Sequence, residues 1–384
     1  MNPVKTGIIG TGFSGSFHVE ALRRVPGVQI VAVSGSSLEK AKAFADQYGI
    51  PKAYGSPEEL IADPEVQAVH NCTPNDMHFR VNKQVLQAGK HLLSEKPLTK
   101  NSRESLELLE LSRRSEAVNG VCFNYRHFPI VQQTREYISR GDFGKANLVY
   151  GGYTQDWLLY DTDYSWRLDT GKNGLSRAIA DIGSHWCDTV QHILGQRIVE
   201  LCADLKTVHP VRQKPKGSVA TFSGAVEAET EPVDVKTEDY GSVLVHFENG
   251  TQGVFTVSQV SAGRKNRLYF EIAAETAALA WDQEEPNNLW IGRRDEANRQ
   301  LVRDPGLLSR QAAELAHYPG GHQEGWPDGM KNLLLDFYKA VRAKEAGEPV
   351  SPSFASIGDG HYTMKIIDAI LKSHAERRWV KVDE

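Results

Sequence analysis

Six residues near the amino terminus constrain this chain more than any other feature. Gly10-Thr11-Gly12-Phe13-Ser14-Gly15 stands between a short apolar strand, residues 6–9, and a segment with helical spacing, residues 16–24. In such a turn the first glycine permits the tight bend and the second lets backbone approach a pyrophosphate. The third packs helix against strand, leaving helix N-terminal amides to meet negative charge. The same alternation then continues. Strands are expected at 28–33, 53–54, 66–72, 91–94 and 118–123, with helices at 38–48, 56–62, 76–88 and 102–115. Strands alternating with helical segments predict βαβ units and a doubly wound parallel sheet over residues 1–123.

The pattern changes after Phe123. A helix at 129–140 is followed by strands at 146–154, 198–207, 240–248, 252–258 and 267–273, with a hairpin turn at Asn249-Gly250. One long helix, 180–194, interrupts them, and helices at 330–343 and 362–376 close the chain. Residues 214–239 and 283–325 lack periodicity and read as loops. The α/β chain is thus expected to have a second domain, 124–384, of α+β type on an open, mostly antiparallel sheet. Composition supports a globular protein, with 40% hydrophobic and 24% charged residues over 384 positions. The net charge of −5 argues against a nucleic-acid partner. Cys72, Cys122, Cys187 and Cys202 are widely spaced and read as buried thiols in a reducing compartment. No run approaches the roughly 18 apolar residues of a membrane span, and the polar start leads straight into a strand, so a cytoplasmic protein is expected.

Three further segments carry chemistry. Cys72-Thr73-Pro74-Asn75, with His78 three residues on, follows the buried strand 66–72. Glu95-Lys96-Pro97 follows strand 91–94, and Pro97 marks a cis or otherwise rigid turn. Ligands of open α/β sheets sit outside such strand ends, so these residues, with Asn124, join the glycine turn as expected dinucleotide contacts. Asp181 and His185, four apart, share a helix face. Cofactor choice is read after the second strand, where Ser34-Gly35-Ser36-Ser37 and Lys40 stand in place of the usual acidic residue. Hydroxyls and a lysine suit a 2′-phosphate and favour NADP, with Glu39 as the feature that would serve NAD. Tyr125, Arg126, Gln155, Trp157, Trp166 and Arg167 offer flat aromatic faces and hydrogen-bonding groups suited to a polyhydroxylated ring. His322 and Trp326 lie in or beside a glycine-rich segment that would close over the site. Asp181, His185, Asp188 and His322 show no metal-site spacing.

On the glycine motif, "CTPN" with its histidine, "EKPL" at 95–98 and D-x-G-x-H at 181–185, the whole chain resembles the Gfo/Idh/MocA oxidoreductase superfamily. The resemblance implies a Rossmann domain, an open-sheet domain that forms a homodimer or homotetramer, and NAD(P)-dependent oxidation of a ring hydroxyl on a sugar, glycoside or cyclitol. It implies that Lys96 lies near the reacting oxygen and that Asp181 and His185 form an acid–base pair. Imidazole is suited to that proton near neutrality, and a lysine cation would stabilise a developing alkoxide. Tyr-x-Gln-Asp-Trp at 153–157 and the later Ser-Trp-Arg resemble the levoglucosan and glycoside-oxidising dehydrogenase branch. Several members of that branch use NAD, against the NADP reading of the Ser34–Ser37 turn. Two rivals remain open: an NAD-dependent glycosidase that oxidises the ring transiently, and a non-catalytic dinucleotide-binding regulator.

Overall fold

The computed structural model describes residues 2–216 and 229–383. Two compact units are formed, one by Met1–Asn124 with Trp326–Met364, the other by Tyr125–Gly325 with Lys365–Glu384.

In the first unit the strands are β1 (Val4–Ile9), β2 (Val28–Ser34), β3 (Lys52–Tyr54), β4 (Ala68–Asn71), β5 (His91–Ser94) and β6 (Asn119–Val121). They form a parallel sheet in the order β3-β2-β1-β4-β5-β6. Adjacent residues on one strand face opposite sides. Accordingly Ile8, Val33 and Leu93 join one apolar cluster, while Ile9, Ala32 and Leu92 join another. Both faces of the sheet are therefore covered, as a parallel sheet requires. Helix starts follow local chemistry. Ser37, Ser56 and Asn101 each accept the backbone N–H three residues on, at 3.3, 3.3 and 3.0 Å. The strand order reverses between β1 and β4, which places the ligand crevice of this sheet at their carboxyl ends.

The sequence division assigns everything after residue 123 to the second domain, whereas Trp326–Met364 folds with the first unit. The cause is an apolar stripe. Met330, Leu333, Leu334, Phe337 and Val341 recur at helical spacing in Trp326–Glu345 and pack with Val4, Ile8, Val19 and Leu22. Trp326 meets Phe17 edge-on at 4.9 Å, so it belongs to this packing.

The second unit contains β7 (Ala146–Thr154), β8 (Ile198–Lys206), β9 (Val211–Pro215), β10 (Thr230–Asp234), β11 (Tyr240–Phe247) and β12 (Gln252–Ser258). These are followed by β13 (Arg267–Ala274), β14 (Ala278–Asp282), β15 (Asn288–Gly292), β16 (Arg299–Val302) and β17 (Val380–Lys381). Among the described residues the main sheet runs β16-β15-β14-β13-β7-β12-β11-β8-β17. Only the β7–β12 pair is parallel. The hairpin expected at Asn249-Gly250 joins β11 to β12, with Gly250 N–H donating to Phe247 O at 3.0 Å. Two expectations are corrected. Residues 283–325 contribute β15, the edge strand β16 and a short helix, Arg310–Ala313. The expected loop 214–239 instead holds the end of β9 and the whole of β10, which pair with each other; its residues 217–228 lie outside the described residues.

If Trp326–Glu345 is integral to the first unit, Phe337→Ala leaves a cavity beneath it. Loss of about 3–5 kcal/mol of stability is expected, measured by urea titration; an unchanged midpoint would show that this helix is dispensable.

Candidate active site

The glycine turn is built by close approach. Gly10 has φ +119°, and a Cβ there would lie 2.4 Å from the Cys72 carbonyl oxygen. A Cβ at Gly15 would lie 2.2 Å from the carbonyl oxygen of Gly10. Gly12, by contrast, has open space beside its Cα and begins the helix Phe13–Leu22 without a capping side chain. An open, uncapped helix N-terminus at the end of β1 fits the pyrophosphate of a dinucleotide. After β2 the serines have different surroundings. Ser34 is fully buried, and its carbonyl accepts the Gly10 N–H at 2.8 Å. Ser37 caps the next helix, while Ser36 and Lys40 are exposed.

At the ends of β4 and β5, two residues expected as cofactor contacts have protein partners. His78 Nδ1 lies 2.7 Å from the Pro97 carbonyl and Nε2 lies 2.8 Å from the Thr73 carbonyl. This ring ties the Cys72–Asn75 turn to the Glu95–Pro97 turn. Burial lowers its pKa, against the two carbonyls that favour its charged form. Glu95 is likewise occupied: Oε1 lies 2.9 Å from His18 Nε2, and Oε2 accepts the Lys96 N–H at 3.1 Å. Burial works against its charge, but His18 and Lys96 hold its pKa at about 2. The Lys96–Pro97 bond is cis. Cys72 is buried, its thiol pushed well up by burial and by Glu95. Thr73 Oγ1 donates to Asn71 Oδ1 at 2.7 Å, and Asn75 opens the helix Asn75–Gln87 after Pro74. Asn124 is buried, and its Nδ2 donor has no hydrogen-bond partner. That orphaned donor also fits a polar ligand.

In the second unit, Asp181 lies in a π-helical turn, Ile179–Gly183, and His185 in the α-helix that continues it, Ser184–Leu194. The expected single helix 180–194 therefore has a wide first turn, closed by Ser184 N–H to Ile179 O, a device frequent at functional sites. Glu238 holds its start: Oε1 accepts from Ser176 Oγ and the N–H groups of Arg177 and Ile179 at 2.7, 2.9 and 2.9 Å. Burial raises the pKa of Glu238 despite those donors. Arg177 also binds Asp239 and donates to Gln259 Oε1 at 2.5 Å. Because a guanidinium only donates, the Gln259 amide is fixed with Nε2 toward Asp181 Oδ2, at 2.9 Å. Arg167 Nε lies 3.7 Å from Asp181 Oδ1, and its guanidinium stacks on Trp166 at 4.6 Å.

Around His185 the second unit gathers aromatic and amide groups. Tyr125 meets its ring edge-on at 5.0 Å, and Tyr153 lies at 6.1 Å. The two tyrosine hydroxyls are 2.7 Å apart, and Asn266 Oδ1 accepts from Gln155 Nε2 at 3.0 Å. Trp157 Nε1 donates to Gln155 Oε1 at 2.9 Å. Burial, Tyr125 and Asp181 together push the Tyr153 pKa well up. Two expected substrate contacts are placed differently. Arg126 grips Asp188 through two bonds of 2.8 and 2.5 Å in a buried pair. His322 is exposed in the segment where its carbonyl accepts from Arg303. Among the described residues, His18, Glu95 and Cys122 are the group whose ligating atoms come within 4.8 Å of one another. There His18 is already hydrogen-bonded to Glu95. Sequence reading missed Gln259, Asn266 and Glu238, which are distant in sequence from their partners: 78 positions from Gln259 to Asp181, 111 from Asn266 to Gln155 and 59 from Glu238 to Ile179.

Comparison with known proteins agrees with this architecture. Residues 4–123 match the oxidoreductase family with NAD-binding Rossmann fold, and residues 131–280 match the GFO/IDH/MocA C-terminal domain. A levoglucosan dehydrogenase of Pseudarthrobacter phenanthrenivorans is 29% identical, the match covering 100% of this chain and 99% of that protein. The crystal structure of an oxidoreductase domain protein from Kribbella flavida superposes with a TM-score of 0.89 at 29% identity, covering 100% of both chains. Levoglucosan dehydrogenase in complex with NADH and levoglucosan gives 0.88 at 26% identity, also over 100% of both. With both domain types matched in order along its length, this chain belongs to the Gfo/Idh/MocA family of NAD-binding oxidoreductases.

Proposed function

We propose that the protein is an NAD(P)-dependent dehydrogenase that oxidises a ring hydroxyl of a sugar, glycoside or cyclitol. The observation that carries this reading is the clustering of Tyr125, Tyr153, Gln155, Trp157 and Asn266 around His185. Aromatic faces and amides match the alternating C–H and O–H surfaces of such a ring. The relatives named above point to the same substrate class.

A bound nicotinamide would supply the hydride acceptor. The protein's own groups handle position and charge. Gly10–Gly15 would hold the pyrophosphate, with Thr73, Pro74, Asn75, Pro97 and Asn124 at or beside the strand ends. The Lys96 ammonium would stabilise the alkoxide that develops as the hydroxyl proton is withdrawn. His185 accepts the hydroxyl proton, and Asp181, oriented by Gln259, sets the position of substrate or imidazole. Arg167 and Trp166 form one wall beside Asp181. Ser36 and Lys40 favour NADP over NAD, since both are exposed beyond β2 and no acidic residue ends that strand. The open face of the main sheet carries exposed Tyr150, Val254 and Leu244 in one cross-strand row, at 41%, 38% and 48% exposure. That row would join copies of the chain into a dimer or tetramer.

Incubation with NAD or NADP and a panel of monosaccharides, inositols and glycosides tests the activity through absorbance of the reduced nicotinamide. Accumulation with one substrate class is expected, and His185→Ala should lower kcat by about 10²–10⁴-fold with cofactor binding retained. Glycoside cleavage without reduced cofactor would replace the dehydrogenase by the glycosidase reading. Lys40→Ala should weaken NADP by roughly 10- to 100-fold and leave NAD unchanged; equal effects on both would end the NADP assignment. Val254→Asp should convert the assembly to monomer in light scattering, and an unaltered mass would exclude this face.

A further inference from the structure

A chain of buried polar side chains crosses the first unit and ends at Lys96. Thr6 Oγ1 lies 2.7 Å from Tyr338 OH, which lies 2.8 Å from His70 Nε2. His70 Nδ1 lies 2.7 Å from His18 Nδ1, and His18 Nε2 lies 2.9 Å from Glu95 Oε1. The other carboxylate oxygen accepts the Lys96 N–H at 3.1 Å. Thr6, His18, His70 and Tyr338 are fully buried and Glu95 is 7% exposed, so water cannot substitute for these partners. The members come from β1, the first helix, β4, the turn after β5 and the helix Trp326–Glu345. Cys122 also faces this cluster, its Sγ 3.9 Å from His18 Nε2.

Hydrogen-bond chemistry restricts the chain to two arrangements. An ionised carboxylate only accepts, so His18 Nε2 carries a hydrogen. Between two Nδ1 atoms in contact only one hydrogen fits. If it belongs to His70, both rings are neutral, Tyr338 donates to His70, and Thr6 donates to Tyr338. If it belongs to His18, that ring is an imidazolium; His70 then donates to Tyr338, and Tyr338 to Thr6. One proton thus reverses the bonds from His18 to Thr6, while His18 donates to Glu95 in both. Burial and His18 push the pKa of His70 well down, so His70 stays neutral in either arrangement.

We infer that Glu95 and His18 are positioning residues for Lys96: His18, braced by His70, Tyr338 and Thr6, clamps the Glu95 carboxylate, which fixes the backbone of the turn that presents the lysine. The inference rests on Lys96 serving the proposed oxidation. It departs from the expectation that Glu95 contacts the dinucleotide, because both carboxylate oxygens have protein donors. A neutral amide at position 95 could keep either donor satisfied but not both, since one of its two ends is itself a donor.

The test compares Glu95→Gln, His18→Gln, His18→Leu and Lys96→Met in the full-length protein. Glu95→Gln and His18→Leu should lower kcat by about 10- to 100-fold with unchanged cofactor affinity, measured by quenching of protein fluorescence. His18→Gln, which keeps a donor toward Glu95, should recover part of the loss. Full kcat in Glu95→Gln and His18→Leu beside an inactive Lys96→Met would overturn the inference and leave the role of Lys96 standing. Full kcat in Lys96→Met would instead remove the reading on which it rests. Nitrogen-15 spectra of the histidines in the unaltered protein give a result independent of variant folding. A hydrogen on His18 Nε2 and one shared by the two Nδ1 atoms are expected; a bare His18 Nε2 would overturn the clamp.

Discussion

The first unit depends on a contact that leaves no room for a side chain. The Gly10 Cα sits against the Cys72 carbonyl, and the Gly15 Cα against the Gly10 carbonyl. These two approaches seat the helix Phe13–Leu22 on β1 and bring its N-terminus to the switch point of the sheet. They act further along the same helix. Gly15 precedes His18 by one helical turn, so the seating that opens the phosphate cradle also places His18 against His70 and Glu95. A methyl group at either glycine would displace the helix and disturb both features together. The glycine motif is therefore a packing constraint as much as a candidate ligand site.

In the second unit the comparable anchor is ionic. Arg177, Arg212 and Asp239 have fully buried side chains, and Arg212 also donates to the carbonyls of Leu158 and Tyr160 at 2.9 and 2.7 Å. Burial opposes the charge of Asp239, but Arg177 and Arg212 hold its pKa below the usual carboxylate range. Removing one member of such a buried cluster typically costs about 3–5 kcal/mol, because an uncompensated charge is left behind. This cost is conformational specificity in another form. Arg177 reaches Gln259 and, through it, Asp181, so the position of the proposed catalytic carboxylate is set by charges that solvent does not touch.

Much of the fold was legible because it rests on local periodicity. The β1-to-helix glycine turn, the alternating first domain and the Asn249-Gly250 hairpin all have short-range signatures. Other features have none. β16 lies at the sheet edge with mostly exposed residues, so alternation is weak in Arg299–Val302, and β15 is a short strand of five residues inside an otherwise aperiodic stretch. The π-helical turn at Ile179–Gly183 alters hydrogen bonding by one residue without altering residue types. The helix Trp326–Glu345 was visible by its stripe, but a stripe does not say which sheet it covers. Among the candidate residues, motifs point to Lys96 in the first unit and to Asp181 and His185 in the second. No motif points to Gln259 and Asn266, because they stand beside strand ends and reach the cluster only through the sheet register.

Residue type names candidate site residues, and hydrogen-bond partners distinguish among them. Arg126, His78, Glu95 and Ser37 all have ligand-binding chemistry, yet each has its polar atoms engaged by Asp188, by two carbonyls, by His18 and Lys96, or by a helix N-terminus. Asn124 Nδ2 and Arg167 Nη1 are the opposite case: buried donors without a hydrogen-bond partner. Burying a donor without an acceptor costs roughly 1–3 kcal/mol, so such atoms persist where a ligand or water completes them. Asn124 closes the Rossmann strands, and Arg167 stands beside Asp181. Both stand on segments that the motifs propose for cofactor and for substrate, whereas Arg212 Nε, another buried donor in the same state, belongs to the structural ion cluster around Asp239.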